Sequence, residues 1–575
     1  MAQAPIFRTA AQALVDQLVL HGVEHVFCVP GESYLGVLNA LRDSPIAVTI
    51  GRQEGGCAMM AEAVGKTTGR PGVCFVTRGP GATNAAAGVH VASQDSTPLI
   101  LFVGQVDRGL KEREAFQELD YRAVFHSMAK WVVEIETPER VPELVARAFA
   151  TACAGRPGPV VVALPRDMLT AQVAVADAPA LRPAECAPHP QDMAALDRLL
   201  AEAARPLLVL GGPRWDQDSR AAMHALAERF ELPVMTSYRR LTLFDPLHPA
   251  YAGDLGLAPN PRLIERVMAA DLVVWVGGRI SEISSQGYKL FDIPAPSTRL
   301  VHVHPAAEEL GRVFWPTLAI QASPAGFAAA AAGLAPPPAI PWRQETRQAH
   351  ADYLAWSETP TPQPGAVNLG EVMVWLREQL PADAIVCNGA GNYAGWIHRF
   401  LRFRRLHGHV APTSASMGYG VPAAVAMQRL NPGRTVVSIN GDGDFLMNGQ
   451  EFATAVQYGL SIIVLVADNR SYGTIRMHQE REFPGRVSGT DLVNPDFAAY
   501  ARAFGGFGAT VETTADFGPA FEAARVSGLP SILHLKIDVD AISPSTTLGQ
   551  IRTAALSRAE PALRPAAPSS WAKAQ

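Results

Sequence analysis

Short and almost wholly apolar runs recur along the chain, and each ends in a glycine-rich turn before a helical pattern begins. Examples are HVFCVPG, GVCFVTRGPG, LLVLGG, LVVWVGG, AIVCNGAG, TVVSINGDG and IIVLVADN. Strands that are apolar on both faces are typical of parallel sheets covered by helices on both sides. We therefore predict an α/β fold built from doubly wound parallel sheets.

The length of 575 residues exceeds what one hydrophobic core supports, so several domains are expected. Stretches rich in Pro and Ala at 175–190 and between 334 and 365 divide the repeating pattern into three α/β blocks. The predicted domains are 1–170, 191–333 and 366–550, followed by a C-terminal tail at 551–575.

Composition limits the classes of function. A net charge of −5 spread over this length gives no basic field for holding nucleic acid. The apolar runs are too short to cross a bilayer, and the N-terminus lacks the apolar segment of a signal peptide. None of the six cysteines forms a CxxC pair, which indicates buried thiols in a reducing compartment. We expect a cytoplasmic protein with no nucleic-acid and no membrane partner.

Two small polar clusters stand at the ends of one helix–strand unit. Gly441-Asp442-Gly443 follows the strand TVVSIN, and Asp468-Asn469 follows the strand IIVLVA. Sequential parallel strands tend to be neighbours, so these clusters should meet at one edge of the sheet. A carboxylate and an amide oxygen beside a helix N-terminus suit Mg²⁺ that holds a diphosphate, although two ordinary polar loops would give the same pattern. Asp444 or Asn448 is expected to cap the helix that follows.

Two other phosphate motifs fit less well. Gly65-Lys66-Thr67 resembles the end of a P-loop, but Met60 stands where the first glycine is required. The run GAGNYAG at 389–395 has the glycine spacing of a dinucleotide loop, yet no acidic residue occurs from 396 to 415 to bind a ribose. We therefore expect a phosphate-facing loop there rather than a nicotinamide site.

A single carboxylate, Glu54, precedes a helix of small residues within the segment 52–84. Taken alone, it fits a residue favoured by the helix dipole better than a catalytic one. However, GPGATN, AFQELD, GRPGPVVVALPRD, SMGYGVPAA and the GDG…DN unit follow in that order. With these motifs the chain resembles, over roughly 5–550, the thiamine-diphosphate enzymes of the acetolactate synthase (acetohydroxyacid synthase) large-subunit-like family.

The resemblance implies that the three blocks are a pyrimidine-binding, a middle and a diphosphate-binding domain. It implies an active site between the first domain of one subunit and the third domain of its partner, hence a homodimer or a homotetramer. The implied cofactors are thiamine diphosphate and Mg²⁺. Acetolactate synthases also hold a non-redox FAD in the middle domain. Here RISEIS at 279–284 replaces the usual Arg-Phe-Asp-Asp-Arg stretch, which argues against FAD but leaves it open.

The resemblance also assigns roles to residues. Glu54 matches the glutamate that hydrogen-bonds the aminopyrimidine ring of the cofactor, and Gln117 is implied to orient the substrate. The implied metal ligands are Asp442, Asn469 and the backbone carbonyl of Ser471. The implied cofactor contacts are Pro80, Asn84, Gly391, Asn392, Met417, Gly441, Gly443, Asp444 and Tyr472. The implied substrate contacts are Gly31, Phe116, Thr474, Ile475 and His478.

Departures from the family leave the substrate open. Asp468-Asn469 replaces the usual Asn-Asn pair, so the hydrogen bonds beside the metal are expected to differ. A Met-Val pair and a tryptophan that selects the acceptor in acetolactate synthases are replaced by Thr474, Ile475 and His478. His478 is either a polar substrate contact or a solvated loop histidine.

Two further basic features have alternative interpretations. Arg78 replaces the serine that usually precedes GPGATN, and we expect it either to balance an anionic substrate or to face solvent. The run HGH at 407–409 follows an arginine-rich segment, and we expect it on a solvated amphipathic face.

The expected activity is decarboxylation of a 2-keto acid followed by carboligation, with Mg²⁺ and thiamine diphosphate. The nearest alternative keeps the cofactor but acts on another donor, such as a 2-hydroxyacyl-CoA, oxalyl-CoA or a sulfonated aldehyde. A non-catalytic nucleotide-binding regulator and an NAD-dependent oxidoreductase are the alternatives from other classes. Release of CO₂ from pyruvate that depends on the cofactor would separate these hypotheses.

Overall fold

The strands in the described part of the chain form three six-stranded sheets and one two-stranded ribbon. The computed structural model describes residues 6–180 and 183–559. Every pair of neighbouring strands within the six-stranded sheets is parallel. This confirms the predicted α/β architecture of three parallel sheets. None of the helices in these ranges has both the length and the apolar character needed to cross a membrane.

The first sheet has the strand order β3-β2-β4-β5-β7-β6, and β1 pairs antiparallel with β8 in a separate ribbon. The strands are β1 (Ile6–Thr9), β2 (His25–Cys28), β3 (Ala47–Ile50), β4 (Gly72–Val76), β5 (Leu99–Gln105), β6 (Trp131–Glu134), β7 (Pro159–Pro165) and β8 (Gln172–Val175). The helices are α1 (Ala10–Leu20), α2 (Leu35–Arg42), α3 (Glu54–Thr68), α4 (Pro80–Asp95), α5 (Tyr121–Phe125), α6 (Val141–Cys153) and α7 (Arg166–Thr170).

The middle sheet has the order β11-β10-β9-β12-β13-β14. Its strands are β9 (Pro206–Leu210), β10 (Val234–Ser237), β11 (Tyr251–Leu255), β12 (Leu272–Val276), β13 (Arg299–His304) and β14 (Leu318–Gln321). Its helices are α8 (Pro190–Glu202), α9 (Gln217–Phe230), α10 (Pro261–Ala269) and α11 (Pro324–Ala331). A further helix, α12 (Arg343–Ser357), lies within the Pro-rich stretch that precedes the third sheet.

The third sheet has the order β16-β15-β17-β18-β20-β19. Its strands are β15 (Ile385–Asn388), β16 (His409–Val410), β17 (Val436–Gly441), β18 (Ile463–Asp468), β19 (Phe507–Val511) and β20 (Ser531–Lys536). Its helices are α13 (Leu369–Gln379), α14 (Ala394–Phe400), α15 (Gly420–Leu430), α16 (Asp442–Asn448), α17 (Glu451–Gln457), α18 (Gly473–Glu482), α19 (Phe497–Ala503), α20 (Thr514–Ser527) and α21 (Leu548–Ala559). β17 and β18 are neighbours with Gly441 opposite Ala467, which confirms that the two polar clusters meet at one edge.

The expected helix cap was wrong. Helix α16 begins at Asp442, directly after the strand, so Asp444 lies in its first turn and Asn448 is its last residue. The carboxylate of Asp444 is buried and accepts hydrogen bonds from other segments, so it does not cap its own helix. The predicted C-terminal tail at 551–575 begins inside α21, and residues 560–575 lie outside the described residues.

The first and third sheets share one hydrophobic core. Helices α3 and α4 contribute Met59, Met60 and Ala85, and helix α15 contributes Ala424 and Met427 to the same buried cluster. The cysteines are free thiols; Cys186 is half-buried and the other five are buried, as the sequence predicts.

A buried ion cluster lies inside this shared core. The Lys66 ammonium is 3.2 Å from Oε1 of Glu62 and also pairs with Asp95, and both carboxylate side chains are fully buried. Tyr419 of the third domain donates its hydroxyl to Glu62. Burial raises the pKa of Glu62 and would raise that of Asp95, but the charge and hydrogen bond of Lys66 hold the pKa of Asp95 below its usual range. Asp95 is therefore the ionised partner of Lys66.

Asp95 connects all three domains. Its carboxylate accepts backbone N–H groups of Thr413 at 2.8 Å and Ser414 at 2.9 Å, from the loop that leads to Met417. Its backbone carbonyl accepts a hydrogen bond from the guanidinium of Arg240 in the middle domain. The position of the Met417 loop therefore depends on a carboxylate from the first domain.

Candidate active site

The predicted site residues lie in two groups, one at the carboxyl edge of the first sheet and one at that of the third. In the first group, Gly31 follows β2, Glu54 follows β3, Pro80 and Asn84 follow β4, and the segment with Phe116 and Gln117 follows β5. Loops at the carboxyl ends of parallel strands are where ligands gather in such folds. The topology thus brings together residues that are up to 86 positions apart, from 31 to 117.

Glu54 has one side-chain partner in this group. The amide of Asn84 donates to Oε2 of Glu54 at 3.0 Å, and the Glu54 side chain is half-buried at the start of α3. A Cβ built on Gly81 would lie 3.3 Å from Oε1 of Glu54, so the backbone of α4 passes close to the Glu54 carboxylate. The backbone just before Glu54 is fixed by Glu451, whose Oε1 accepts the N–H groups of Arg52 and Gln53 at 3.0 Å each.

Gln117 has an unusual backbone. Its φ of 64° lies in the left-handed region, and a Cβ on Gly79 would lie only 2.8 Å from the Gln117 Cβ. A non-glycine residue in that region is strained, and such strain often occurs at functional sites. The neighbouring Phe116 side chain is 72% exposed, whereas Gln117 is half-buried beside Gly79.

Arg78 does not face solvent, which corrects one of its two interpretations. The residue is buried, its guanidinium pairs with Glu32, and its Nε donates to the Phe116 carbonyl at 3.0 Å. The two residues can pair because Arg78 lies two residues after the end of β4 and Glu32 follows β2, the neighbouring strand. The arginine therefore positions the Phe116–Gln117 loop.

The second group surrounds Asp442. Its carboxylate is buried; Oδ1 accepts the Gly443 N–H at 2.9 Å and Oδ2 accepts the Asn494 amide at 2.7 Å. Burial, with a further contribution from the charge of Asp468, raises the pKa of Asp442 to about 6. Asn469 is half-buried and its amide oxygen accepts the Ser471 N–H at 3.1 Å.

The donor set of this group fits a hard divalent cation. A carboxylate has about four lone-pair sites, and Asp442 uses two of them, so oxygen sites remain for an ion. Asn469 and the backbone carbonyl of Ser471 add neutral oxygens of the kind that Mg²⁺ binds. Gly443 allows the Tyr472 ring to lie against the backbone of α16, since a Cβ on Gly443 would lie 2.6 Å from that ring.

The loop after β15 lies against the same edge. Oδ1 of Asn392 accepts the Thr474 hydroxyl at 2.9 Å, which joins a predicted diphosphate contact to a predicted substrate contact. Gly391 precedes Asn392 directly, and a Cβ on Gly391 would lie 2.9 Å from the Tyr393 ring. The Tyr393 ring also lies 3.2 Å from a Cβ built on Gly441, so these glycines share one crowded surface.

Asp444 fixes the two loops that border the Asp442 group. It accepts hydrogen bonds from the Ala390 N–H at 3.2 Å, the Gly418 N–H at 2.7 Å and the Tyr393 hydroxyl at 2.6 Å. Burial raises its pKa to about 6 although these three donors lower it. Gly418 follows Met417, so Asp444 positions the half-buried methionine predicted to contact the cofactor.

Comparison with known proteins agrees with this geometry. Three models of the thiamine pyrophosphate enzyme match in chain order: the N-terminal TPP binding domain at 8–124, the central domain at 193–331 and the C-terminal TPP binding domain at 389–535. The acetolactate synthase large subunit of Parasynechococcus marenigrum is 32% identical over 558 residues, which cover 93% of this chain and 88% of that protein.

The chain belongs to the thiamine pyrophosphate enzyme family. Acetolactate synthase isozyme 2 large subunit of Escherichia coli is 31% identical over 534 residues, covering 92% of this chain and 95% of that protein. The acetolactate synthase large subunit of Corynebacterium glutamicum is 29% identical over 557 residues, covering 94% and 88%. The resemblance expected from the motifs is thereby confirmed.

Within one chain of this thiamine pyrophosphate enzyme, the contact between the two groups is indirect: Glu451 of the third domain accepts the backbone N–H groups of Arg52 and Gln53, just before Glu54. Among the described residues, no hydrogen bond or ion pair joins Glu54 to Asp442 or to Asn469. Each group also has exposed apolar neighbours: Phe116 is 72% exposed, and Leu446, Met447 and Ile475 are 44%, 48% and 54% exposed.

Helix α18 carries three of the five predicted substrate contacts, Thr474, Ile475 and His478. Ile475 and His478 are exposed on it. The helix is held by Glu480, whose buried carboxylate pairs with Arg552 of α21 and with Arg476. The hydrogen bond from Arg552 is the main reason that the pKa of Glu480 falls to about 2.

Three hydrogen-bond partners of Asp468 in this thiamine pyrophosphate enzyme were not predicted from the sequence. They are Asn494, His534 and Lys536. Asp468 is the residue that departs from the usual Asn-Asn pair, and its different hydrogen bonds were predicted without their partners. Burial raises the pKa of Asp468, but hydrogen bonds from His534 and Asn494 together hold it well below its usual range. The one signal in the sequence was Asp468 itself: a buried carboxylate in place of the usual amide requires basic partners, here His534 and Lys536.

The expected solvated face at 407–409 was wrong. His409 is buried in β16, where its ring stacks on Phe403 and its Nε2 lies 2.7 Å from Oδ1 of Asn388. Strand pairing with Val386 places it in the sheet, despite the arginine-rich run before it.

A cavity of about 560 Å³ lies where the three domains meet. Its lining includes the segment RISEIS and His302 and His304 of the middle domain, Asp95 of the first domain and Thr413 of the third. FAD binding in this cavity stays open, and the replacement of the usual stretch by RISEIS argues against it.

Proposed function

We propose that this thiamine pyrophosphate enzyme decarboxylates a 2-keto acid and ligates the remaining fragment to a second carbonyl compound, as an acetolactate synthase-like carboligase. The observation that carries the proposal is the oxygen set of Asp442, Asn469 and Ser471 at one sheet edge, in a chain whose other sheet edge presents Glu54. The names of the relatives, acetolactate synthase large subunits at about 30% identity, support the reaction type.

We propose further that the working enzyme is a homodimer or a homotetramer, with each active site formed by Glu54 of one protomer and Asp442 of its partner. The lack of a direct link between the two groups in one chain supports this arrangement. So do the exposed apolar side chains beside each group, since such surfaces mark interaction sites.

When bound, thiamine diphosphate supplies the nucleophilic carbon and the electron sink for decarboxylation. Asp442, Asn469 and the Ser471 carbonyl would hold Mg²⁺, which would neutralise the charge of the diphosphate. Glu54 would share a proton with the aminopyrimidine ring, as a general acid–base group.

The side chains around these groups would orient the reactants. Asn84 holds Glu54 by a hydrogen bond, which fixes the direction of its carboxylate. The Gln117 amide would hydrogen-bond the substrate, and Met417 would support the cofactor. Thr474, Ile475 and His478 would line the path of the acceptor, and Gly31 and Phe116 would lie on the opposite side.

The test is reconstitution of the apo protein with thiamine diphosphate and Mg²⁺, followed by CO₂ release from a panel of 2-keto acids with and without aldehyde or keto-acid acceptors. The expected result is cofactor-dependent CO₂ release and a carboligation product. Omission of Mg²⁺ and the Asp442→Ala variant serve as controls. Absence of turnover with every keto acid would refute the proposal, and activity with a 2-hydroxyacyl-CoA, oxalyl-CoA or a sulfonated aldehyde would then identify the alternative.

A further inference from the structure

Two buried carboxylates lie at the same sheet edge, and one amide bridges them. The Nδ2 atom of Asn494 is 2.7 Å from Oδ2 of Asp442 and 2.8 Å from Oδ1 of Asp468. An amide nitrogen has two hydrogens, so it donates one to each carboxylate. The opposite orientation would place the Asn494 oxygen against two carboxylates, so electrostatic repulsion fixes the amide as a double donor.

The two carboxylates differ in how many donors they accept. Asp468 accepts four: Asn494 and the Arg470 N–H on Oδ1, and His534 and Lys536 on Oδ2. Four donors fill the lone-pair sites of a carboxylate. Asp468 therefore has no oxygen site left for a cation, although it lies beside Asn469.

The donors on the far side of Asp468 are themselves fixed. Nδ1 of His534 accepts the Phe497 N–H at 3.3 Å, so Nε2 is the ring nitrogen that donates its proton to Asp468. Lys536 lies opposite Asp468 on the neighbouring strand and brings a positive charge to the same oxygen. His534 is buried and Lys536 partly exposed, so the charge of Asp468 is compensated from within the protein.

Asp442, by contrast, accepts two donors among residues 6–180 and 183–559, namely Gly443 and Asn494. Without the Asn494 amide, the two like charges would face each other without an intervening donor, in surroundings of low polarity. The Asp442 side chain would then turn away or share a cation with Asp468. Donors around a metal ligand set its orientation, and their loss weakens metal binding.

We propose that Asn494 is a positioning residue of the metal site: its amide aims Asp442 at the cation and keeps Asp468 out of the coordination shell. The inference rests on the proposed function, because it assumes that Asp442 binds Mg²⁺. It concerns a residue 25 positions beyond Asn469, outside the motif that marks the metal site.

The test is calorimetric titration of Mg²⁺ into the full-length apo protein with saturating thiamine diphosphate and no substrate. We expect Asn494→Ala and Asn494→Ser to weaken Mg²⁺ binding by about 10- to 100-fold, the usual effect of losing such a donor. Asn431→Ala is the matched control, because the Asn431 amide caps α15 by donating to Met427 and lies away from the metal site. Variant affinities within about twofold of the wild type would overturn the proposal.

A double-mutant cycle separates positioning from a general structural role. If Asn494 acts by separating the two carboxylates, the loss caused by Asn494→Ala should be at least about threefold smaller in the Asp468→Asn background. Additive losses would overturn the proposal. If the wild type itself shows no Mg²⁺-dependent binding of thiamine diphosphate, the proposed function fails as well; normal wild-type binding with unchanged variants would overturn this inference alone.

Discussion

Replacing Lys66 with methionine would leave two fully buried carboxylates, those of Glu62 and Asp95, without their shared cation. Removing one partner of a buried ion pair typically costs about 3–5 kcal/mol. The lower end applies here for two reasons. The raised pKa of Glu62 allows it to be neutralised by protonation, and Asp95 keeps the N–H groups of Thr413 and Ser414. We therefore expect a loss of about 3 kcal/mol.

For a cooperative unit of several hundred residues, a loss of this size lowers the melting temperature by roughly 5 °C. The assay is thermal unfolding of the apo protein followed by circular dichroism. A matched lysine control is Lys111→Met, because Lys111 pairs with Glu134 and Glu136 but is 30% exposed. Partly exposed pairs contribute about 1 kcal/mol or less, so this variant should melt close to the wild type.

The same substitution should also loosen the loop before Met417, since Asp95 would lose its fixed position. Addition of Glu62→Gln to Lys66→Met should recover part of the stability, because one uncompensated carboxylate is then neutral. Equal melting temperatures for Lys66→Met and Lys111→Met would refute the view that this ion cluster stabilises the contact between the domains.

Further predictions address the site, α21 and the central cavity. Glu54→Gln should lower turnover by about 10²- to 10⁴-fold while cofactor affinity, measured by calorimetry, stays near that of the wild type; wild-type rates would contradict the acid–base role. Asp442→Ala should abolish the rise in melting temperature that thiamine diphosphate and Mg²⁺ cause, and a retained rise would exclude it as a ligand. Glu480→Gln should release α21 to limited proteolysis at neutral pH. In the wild type the low pKa of Glu480 makes its contribution to stability complete above pH 4.5 and lost only as the pH falls through about 2, so resistance of the variant at pH 7 would contradict the Arg552 pairing. The purified protein should show no flavin absorbance, and a flavin band would show that the cavity beside RISEIS binds FAD.

The parts of the fold that could be predicted from the sequence are those determined by residues close together along the chain. Apolar runs such as those of β4, β12 and β18 can be buried on both faces only in a covered parallel sheet. The short crossover between β17 and β18 made these strands neighbours, and this brought Asp442 to the same edge as Asn469. Both predictions need only residues close in sequence.

What could not be predicted depends on contacts between distant segments. Asn494 lies in a loop without periodicity, and its role appears only when that loop closes over β17 and β18. Lys66 stands in a motif that resembles a P-loop, yet two of its three partners are distant: Asp95 is 29 residues away and Ala411 is 345 residues away. His409 belongs to a strand of two residues, which is too short to show any alternation.

The prediction that Asp444 caps a helix was wrong for a related reason. Asp444 has the residue type and position of an N-cap, but capping is only one way for a carboxylate to accept backbone N–H groups. In the folded chain Ala390 and Gly418 supply those groups from two other loops. A single sequence cannot show this competition between local and distant donors.

The antiparallel pairing of β1 with β8 closes the first domain on itself, with Ile6 opposite Val175. The chain thus enters and leaves this unit at one point, as a closed loop does. A domain whose two ends lie close together tolerates insertion into another chain and circular permutation through a short linker. Recombination at these two strands would exchange the first domain, with the proposed Glu54 half of the site, as one unit, and would leave the domain that carries Asp442 unchanged.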